Sequence, residues 1–465
     1  MVILRSHAER EMEMDRISEL PESLIQHIFS FLPIKSVVST SILSTKWRYL
    51  WTSIPIIDLR EWRSVNASVG VCRDEVSRFM RFVDRVLSNR QDVHSPSIKK
   101  FVLSFDTYFD TSRVNGWISI VLQHKVEELA LVDRKGIIFP PSLFTCESLT
   151  VLEIDKGFLE LPESVNFPNL KILRLSIMLV NEHLIQRLLS NSPILEELSL
   201  ELRNWNIQHL SIFCPKLKRL FMNGLLYRKF DIQIDAPSLQ SFKYSEVLAK
   251  DFVLQNFLTL LDAEVVLSCA ADRGEREELG CLAAKLFASL SDVKRLKISE
   301  YTLKLLSYQD DFHMKLPLYH NLNHLEVSRA SFHFRREGYF EDNVQCWIVK
   351  ILFDFLQVSP NLESLIFDEG FSNCKSNNYD GWLMDLIPQC LLLHLKSIEF
   401  RGFFGKQIEK DLVRLFLKNA KVLQRVRITV SGKSSLSKNS NFKKEVVDEI
   451  ALFPRGSAEC VLHIS

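Results

Sequence analysis

Twelve times between Ile98 and Ile428 an apolar residue is followed, three and five positions on, by two more, and this recurrence restricts the fold of the 465-residue chain more than any other feature. The units are Ile98-Phe101-Leu103, Val126-Leu129-Leu131, Leu149-Leu152-Ile154, Leu170-Leu173-Leu175, Leu195-Leu198-Leu200, Leu217-Leu220-Met222, Leu239-Phe242-Tyr244, Val293-Leu296-Ile298, Leu322-Leu325-Val327, Leu362-Leu365-Phe367, Leu395-Ile398-Phe400 and Leu423-Val426-Ile428. Their first positions are separated by 28, 23, 21, 25, 22 and 22 residues, then 54, then 29, 40, 33 and 28. The last two apolar residues of each unit flank one that is free to face solvent, which is the period of a strand buried on one side. A unit this short buries its apolar edge only against a neighbour, so the units must stack. The expected fold class is α/β, with a curved parallel β-sheet and helices or irregular turns on its outer face. A doubly wound parallel sheet also alternates strands with helices, but its strands would be longer. It would also lack the recurring Pro-x-Leu entry found at Pro168, Pro193, Pro215, Pro237 and Pro360.

Three irregular stretches interrupt the period. The 54-residue step is roughly two repeats, with Ala263-Val265-Leu267 as a strand inside it, and its charged run Asp272 to Glu278 reads as a solvated loop. The 40-residue step contains an apolar helix, Trp347 to Leu356, and the polar segment Glu369 to Gly381 reads as a mobile loop.

Ahead of the repeats, Leu24, Ile25, Ile28, Phe29 and Leu32 recur at helical spacing behind Pro21, and Pro33 ends the run. A second short helix carries Val37, Val38 and Ile42, and a third Trp47, Leu50 and Trp51. A unit of about forty residues without cysteine buries too little surface to stand alone. Its large apolar residues therefore require a second surface. The Leu20-Pro21 pair, the run Ile28 to Pro33, the Val37-Val38 step, Leu43-Ser44 and the close Trp47-Arg48-x-Leu50-Trp51 resemble an F-box of the plant type. That resemblance implies a small helical unit that binds a Skp-type adaptor and, through it, a cullin-based ubiquitin ligase. It implies adaptor contacts at Leu20, Pro21, Ile28, Leu32, Pro33, Val38, Leu43, Trp47, Leu50 and Trp51.

The repeats themselves resemble the leucine-rich repeat in pattern and period. Near the end of the chain, Trp382, Pro388-Gln389-Cys390-Leu391, His394 to Ser397, Glu399-Phe400-x-Gly402, Leu417 to Ala420 and Phe453-Pro454-Arg455 are similar to the FBD domain that follows such repeats in plant F-box proteins. Leu412 to Leu417 and Leu423 supply one apolar helical face there, as expected of a closing unit that keeps the last strand edge from solvent. Between F-box and repeats, Ile54 to Trp62 reads as extended, Asn66 to Gly70 as linker, and Asp74 to Leu87 as an amphipathic capping helix. The expected organisation is an F-box at 15–55, linker and capping helix at 56–97, repeats at 98–380 and FBD at 381–465.

Charge and chemistry narrow the function. The 58 basic and 57 acidic residues leave a net charge of +1, so no global footprint for nucleic acid or an anionic membrane exists. Nine scattered cysteines without a CxxC pair are the usage of a reducing compartment, with Cys374 expected to be the most exposed. No run approaches a membrane span, and the start of the chain lacks a secretory pattern, so cytoplasm or nucleus is expected. No phosphate-binding, zincin or nucleophile-elbow motif occurs. His320 and His324 stand four apart but straddle a repeat strand, where that spacing is not a ligand geometry. No catalytic residue, metal or cofactor is expected.

The reading is a non-catalytic adaptor: the F-box takes the Skp-type partner, and residues flanking the inward apolar pair of each strand take a protein target. Arg174, Glu197, Glu201, Arg219, Phe221, Lys243, Arg295, Lys297 and Glu326 are the candidates for that target surface. Their mixed charge suits a protein better than a polyanion. The alternative is a repeat-based binding or regulatory module whose F-box serves no ubiquitin transfer.

Overall fold

The computed structural model describes residues 20–60 (except 44, 46 and 49), 73–90, 97–105, 109–133, 136–155, 159–177, 182–202, 208–225, 231–246, 248–255, 257, 259–267, 276–308, 316–329, 347–368, 387–431 and 440–465. Two compact units form, one of residues 1–178 with 191–194, the other of 179–190 with 195–465.

The first unit opens with two short helices, α1 (Glu22–Phe29) and α2 (Ile34–Ser39), and two single 3₁₀ turns, Thr40–Ile42 and Leu50–Ser53. Strand β1 (Ile56–Leu59), helix α3 (Arg73–Ser88), β2 (Lys100–Phe105), α4 (Thr111–Gln123), β3 (Glu128–Asp133), β4 (Val151–Asp155) and β5 (Ile172–Ile177) follow. The five strands lie parallel and in chain order. Ile56–Leu59, extended as the sequence implies, pairs with Lys100 to Leu103 and so adds a strand ahead of the first expected repeat.

The second unit carries ten parallel strands of the main sheet: β6 (Glu197–Leu202), β8 (Arg219–Leu225), β10 (Ser241–Glu246), β12 (Asp262–Leu267), β13 (Arg295–Ser299), β14 (His324–Ser328), β15 (Ser364–Asp368), β16 (Ser397–Phe403), β17 (Arg425–Val430) and β18 (Val461–Ile464). Its helices are α5 (Glu182–Ser190), α6 (Arg276–Ala288), α7 (Glu300–Leu306), α8 (Trp347–Gln357), α9 (Gln389–Leu393), α10 (Gln407–Asn419) and α11 (Ser440–Ala451). Each of the twelve expected triplets has its last two apolar residues on one of these strands, side chains inward and buried.

Repeats lock to one another through the backbone just before each strand. The Thr150 carbonyl accepts the N–H groups of both Lys171 (2.9 Å) and Ile172 (3.0 Å), using both lone pairs. The Glu196 carbonyl does the same for Lys218 and Arg219, and Asn323 for Glu363 and Ser364. The asparagine of the Pro-Asn-Leu entries reaches the preceding repeat, Asn169 to the Glu147 carbonyl and Asn361 to the His320 carbonyl, both at 2.9 Å.

Repeat length selects what lies behind the sheet. The 54-residue step divides at Leu260 into 21 and 33 residues. Steps of 21 and 22 in the second unit carry a strand there, β7 (His209–Phe213), β9 (Asp231–Asp235) and β11 (Asp251–Gln255), which pair into a separate parallel sheet. Steps of 28 or more carry helices. Five extended residues span about 16 Å, as far as about eleven helical ones, so a short repeat crosses the back of the core only in extended form. This sheet replaces the helices or irregular turns expected there; Tyr244 of the main sheet meets Phe252 of β11 edge-on at 5.3 Å.

Other expectations divide. The helices at Asp74 to Leu87 and Trp347 to Leu356 and the strand at Ala263 to Leu267 are present. The charged run at 272–278 is not wholly a loop, because Arg276, Glu277 and Glu278 open α6, where acidic residues favour a helix start. Asn66 to Gly70, Glu369 to Gly381, Cys374 and Trp382 lie outside the described residues. Among described cysteines Cys281 is the exposed one, while burial pushes the Cys214 and Cys390 thiols up to about 12. The FBD stretch extends the sheet rather than closing it: β18 is a four-residue end strand paired on one side to β17, and shortness is what blunts that edge.

Candidate docking surfaces

In the F-box segment, Pro21 and Pro33 stand immediately ahead of α1 and α2, where a missing N–H costs nothing. Helix α1 carries two apolar stripes. Ile25 and Phe29 point inward, joined by Ile34 and Val37 of α2. Leu24 and Ile28, one residue back on the wheel, point outward, with Leu32 beside them. Phe31 is 74% exposed, Ile42 86% and Leu43 65%, so six large apolar side chains of this segment stand open to solvent, with His27 edge-on to Phe31 at 4.9 Å. Exposed apolar residues this dense on a short segment make it the first candidate docking surface.

The adaptor candidates fall into three groups. Pro21, Ile28, Leu32, Pro33 and Leu43 are exposed, and Leu20, Val38 and Leu50 are half-buried. Trp47 and Trp51, at 4% and 6% exposure, are turned inward within this chain. Phe29 meets Trp47 edge-on at 5.4 Å, and the Trp51 indole N–H donates to the Arg48 carbonyl at 3.0 Å. Both tryptophans pack into the module's own interior, and among the described residues of the expected third helix Leu50 and Trp51 lie on a 3₁₀ turn, Leu50–Ser53. Leu24, Phe31 and Ile42 join the exposed face although the motif did not select them. Helical spacing in α1 marked both stripes but carried no sign of which one faces out.

Arg90, fully buried at the end of α3, fastens this module to its own unit. Its guanidinium donates to the carbonyls of Ile54 (2.8 Å) and Trp51 (2.9 Å), while Nε has no partner among the described residues. Burial pushes its pKa down to about 10. Buried cations are rare without such acceptors, and these two carbonyls close the last F-box turn as a C-terminal cap would.

The second candidate surface is the outward strand face of the second unit. Registers align its residues into rows across the sheet: Phe221, Lys243, Glu264, Lys297, Glu326, Ile366, Glu399 and Arg427 occupy one row. Lys243 reaches Glu264 at 2.9 Å and lies over the Phe221 ring, and Lys297 bridges to Glu326 at 2.6 Å. Arg219 pairs with Glu197 at 2.8 Å, and Arg295 with Asp262. Burial alone would lower the Lys297 ammonium; the hydrogen bond and charge of Glu326, with Glu264 and Asp368, turn the shift upward. Of the target candidates, Glu197, Arg219, Phe221, Lys243, Arg295, Lys297 and Glu326 are thus gathered on this face, largely neutralised by cross-strand partners, and Glu201 lies on β6 of the same unit. Arg174 belongs to the first unit, 3.7 Å from Glu153. Among the described residues no cluster of histidine, cysteine and carboxylate groups could hold a metal, and His324 sits on β14 while His320 precedes it in a turn.

An exposed apolar helical module, a stacked parallel repeat and charge-compensated strand faces define a protein-binding adaptor. Comparison with known proteins makes the assignment specific. Residues 17–58 match the F-box domain family, 114–255 the LRR repeats of the FBD-associated F-box protein At5g56370, and 385–428 the FBD family. The F-box/LRR-repeat protein At4g14096 of Arabidopsis thaliana is 34% identical over 76% of this chain and 73% of its own length. The F-box/FBD/LRR-repeat protein At2g26030 of the same plant is 28% identical over 97% of this chain and 99% of its own. The chain belongs to the plant F-box/FBD/LRR-repeat family, whose members are non-catalytic adaptors.

Proposed function

We propose that this chain is the substrate-recognition subunit of a Skp-cullin-F-box ubiquitin ligase, with the Skp-type adaptor on the exposed F-box face and a protein target on the repeat strands. The outward stripe of Leu24, Ile28, Phe31, Leu32, Ile42 and Leu43 carries the reading, because an apolar face of that size is stable in water only when covered. Burying each such side chain contributes roughly 1.5–3 kcal/mol to association. Ubiquitin chemistry belongs to other subunits; this chain raises the effective concentration of target lysines near them. The setting is the cytoplasm or nucleus, which the free thiols of the five described cysteines suit.

The test is co-purification of the full-length chain with a plant Skp-type adaptor. Ile28→Asp with Leu43→Asp replaces two exposed residues, so folding stability should change by no more than about 0.5 kcal/mol at each site while adaptor recovery falls more than tenfold. Undiminished recovery sinks the proposal. Adaptor retained without cullin, and no ubiquitin on captured partners, would instead mark a binding module that performs no transfer.

A further inference from the structure

On the outward strand face of the second unit the cations are matched almost one for one, until β17. Arg219, Lys243, Arg295, Lys297 and Arg401 each have a carboxylate within 4 Å. Arg425 and Arg427, two residues apart on β17 and both exposed, form no ion pair with any described residue. Register explains the difference. Arg425 lies between Ser397 and Val461, which offer no charge. Arg427 lies between Glu399 and His463, but the Glu399 carboxylate turns along its own strand to Arg401 Nε at 3.3 Å. The chain as a whole is nearly neutral, so this local excess is not a by-product of a basic protein.

A shallow depression of about 190 Å³ opens beside the two guanidinium groups, lined also by Ser364, Ser397, Ile366 and Glu399. It lies where the row of charged side chains breaks: Ile366 stands between Glu326 and Glu399, and its short apolar side chain leaves the floor low. Two serines and two arginines line this one hollow, and their side chains are hydrogen-bond donors suited to oxygen anions.

We propose that this depression on β15, β16 and β17 is a docking site for an extended acidic segment of a protein, whose aspartate or glutamate carboxylates are taken by Arg425 and Arg427. It rests on the reading of the strand face as the target surface and names the chemistry of the target. Alternate residues of an extended peptide repeat at about 6.6 Å, the same interval that separates Arg425 from Arg427 along their strand. Glu399 on the rim opposes a phosphate dianion more than a carboxylate. A nucleic acid would require a longer stripe of cations than two. The arginines and Glu399 lie within the stretch that matches the FBD family, which gives that segment a part in recognition.

The experiment uses the full-length chain with its co-purified Skp-type adaptor and a fluorescein-labelled peptide alternating glutamate with serine. Fluorescence anisotropy should show binding that weakens as salt rises. It should be at least about tenfold weaker for the Arg425→Gln, Arg427→Gln double variant, as expected for the loss of two charge-assisted contacts. The glutamine counterpart of the peptide should bind as weakly, Arg78→Gln on α3 should match the unaltered chain, and Arg425→Lys with Arg427→Lys should fall between. Melting curves of all variants confirm that the exposed substitutions leave the fold intact. No binding of the glutamate peptide, equal binding by the double variant, or preference for a phosphoserine peptide or an oligodeoxynucleotide overturns the inference. A sample that keeps its adaptor but ignores the peptide fails this inference alone, whereas loss of adaptor from the unaltered chain fails the ligase reading.

Discussion

The F-box face and the strand face of the second unit expose opposite chemistries. The first presents large apolar side chains to solvent, a surface whose free energy falls when it is covered. The second presents lysine, arginine and glutamate already satisfied by one another across strands. Covering a compensated ladder gains little unless the partner replaces the contacts it displaces, so such a face discriminates between partners more than it attracts them. A constant adaptor and a selected target place those two demands on one chain. The difference teaches where binding energy and where specificity reside.

The largest effect should come from removing the support beneath the apolar face. Trp47→Ala leaves a cavity against Phe29 and should cost about 3–5 kcal/mol, so a thermal melt should show the N-terminal module lost while the second unit's transition persists. Adaptor loss without any loss of stability in this variant would return Trp47 to the contact surface and break the division between inward and outward side chains.

A smaller effect is expected at Arg90. Arg90→Met keeps an unbranched apolar stem and removes a buried charge, but takes the guanidinium donors from the Ile54 and Trp51 carbonyls, of which Trp51 keeps only the Ile54 N–H at 3.5 Å. An unsatisfied buried carbonyl costs about 1–3 kcal/mol. Hydrogen exchange at Trp51 to Leu59 should accelerate, with exchange in the second unit unchanged. Unaltered exchange in that segment would show that the packing of α1 and α2 alone holds the module in place.

The smallest effect belongs to the strand face and follows from pH. Burial holds the His324 imidazole below its ordinary value; Glu326 opposes the shift, Arg295 and Arg401 reinforce it, and Glu399 opposes it. The folded chain therefore stays neutral at His324 where the unfolded chain takes up a proton. Stability is retained above the unfolded value of 6.5 and declines as pH falls below it. His124 is lowered in the same direction, by burial first and then by Arg90. Urea midpoints measured from about pH 7.5 down to about pH 5 should fall less steeply for His324→Gln. An identical slope would mean that the strand face tolerates the added charge.

Most of the fold was legible in the sequence because its rule is local. Leu152 and Ile154, or Phe367 and its partner Leu365, announce a half-buried strand from spacing alone, and stacking follows from the inability of one such strand to cover itself. The sheet formed by β7, β9 and β11 was not legible in that way. His209 to Phe213 alternates weakly, and its extended form comes from a repeat too short for a helix, a constraint of closure rather than of composition. The FBD end was expected to hide an edge and instead moves it to β18, because the same backbone pattern that adds one strand accepts another.

The docking surfaces divide along the same line. Sequence alone determined that residues 17–55 hold more apolar surface than so small a unit can bury, and that charged side chains would flank the inward leucines of each strand. Only the tertiary structure decided that Ile25 and Phe29 turn inward while Leu24 and Ile28 turn out, because two stripes on one helix are equivalent until a neighbour covers one. Only the tertiary structure, too, paired Lys297 with Glu326 and left Arg425 and Arg427 on their own. Those partners are brought within reach by the strand register, since 29 residues separate Lys297 from Glu326 along the chain and one inter-strand step separates them in space.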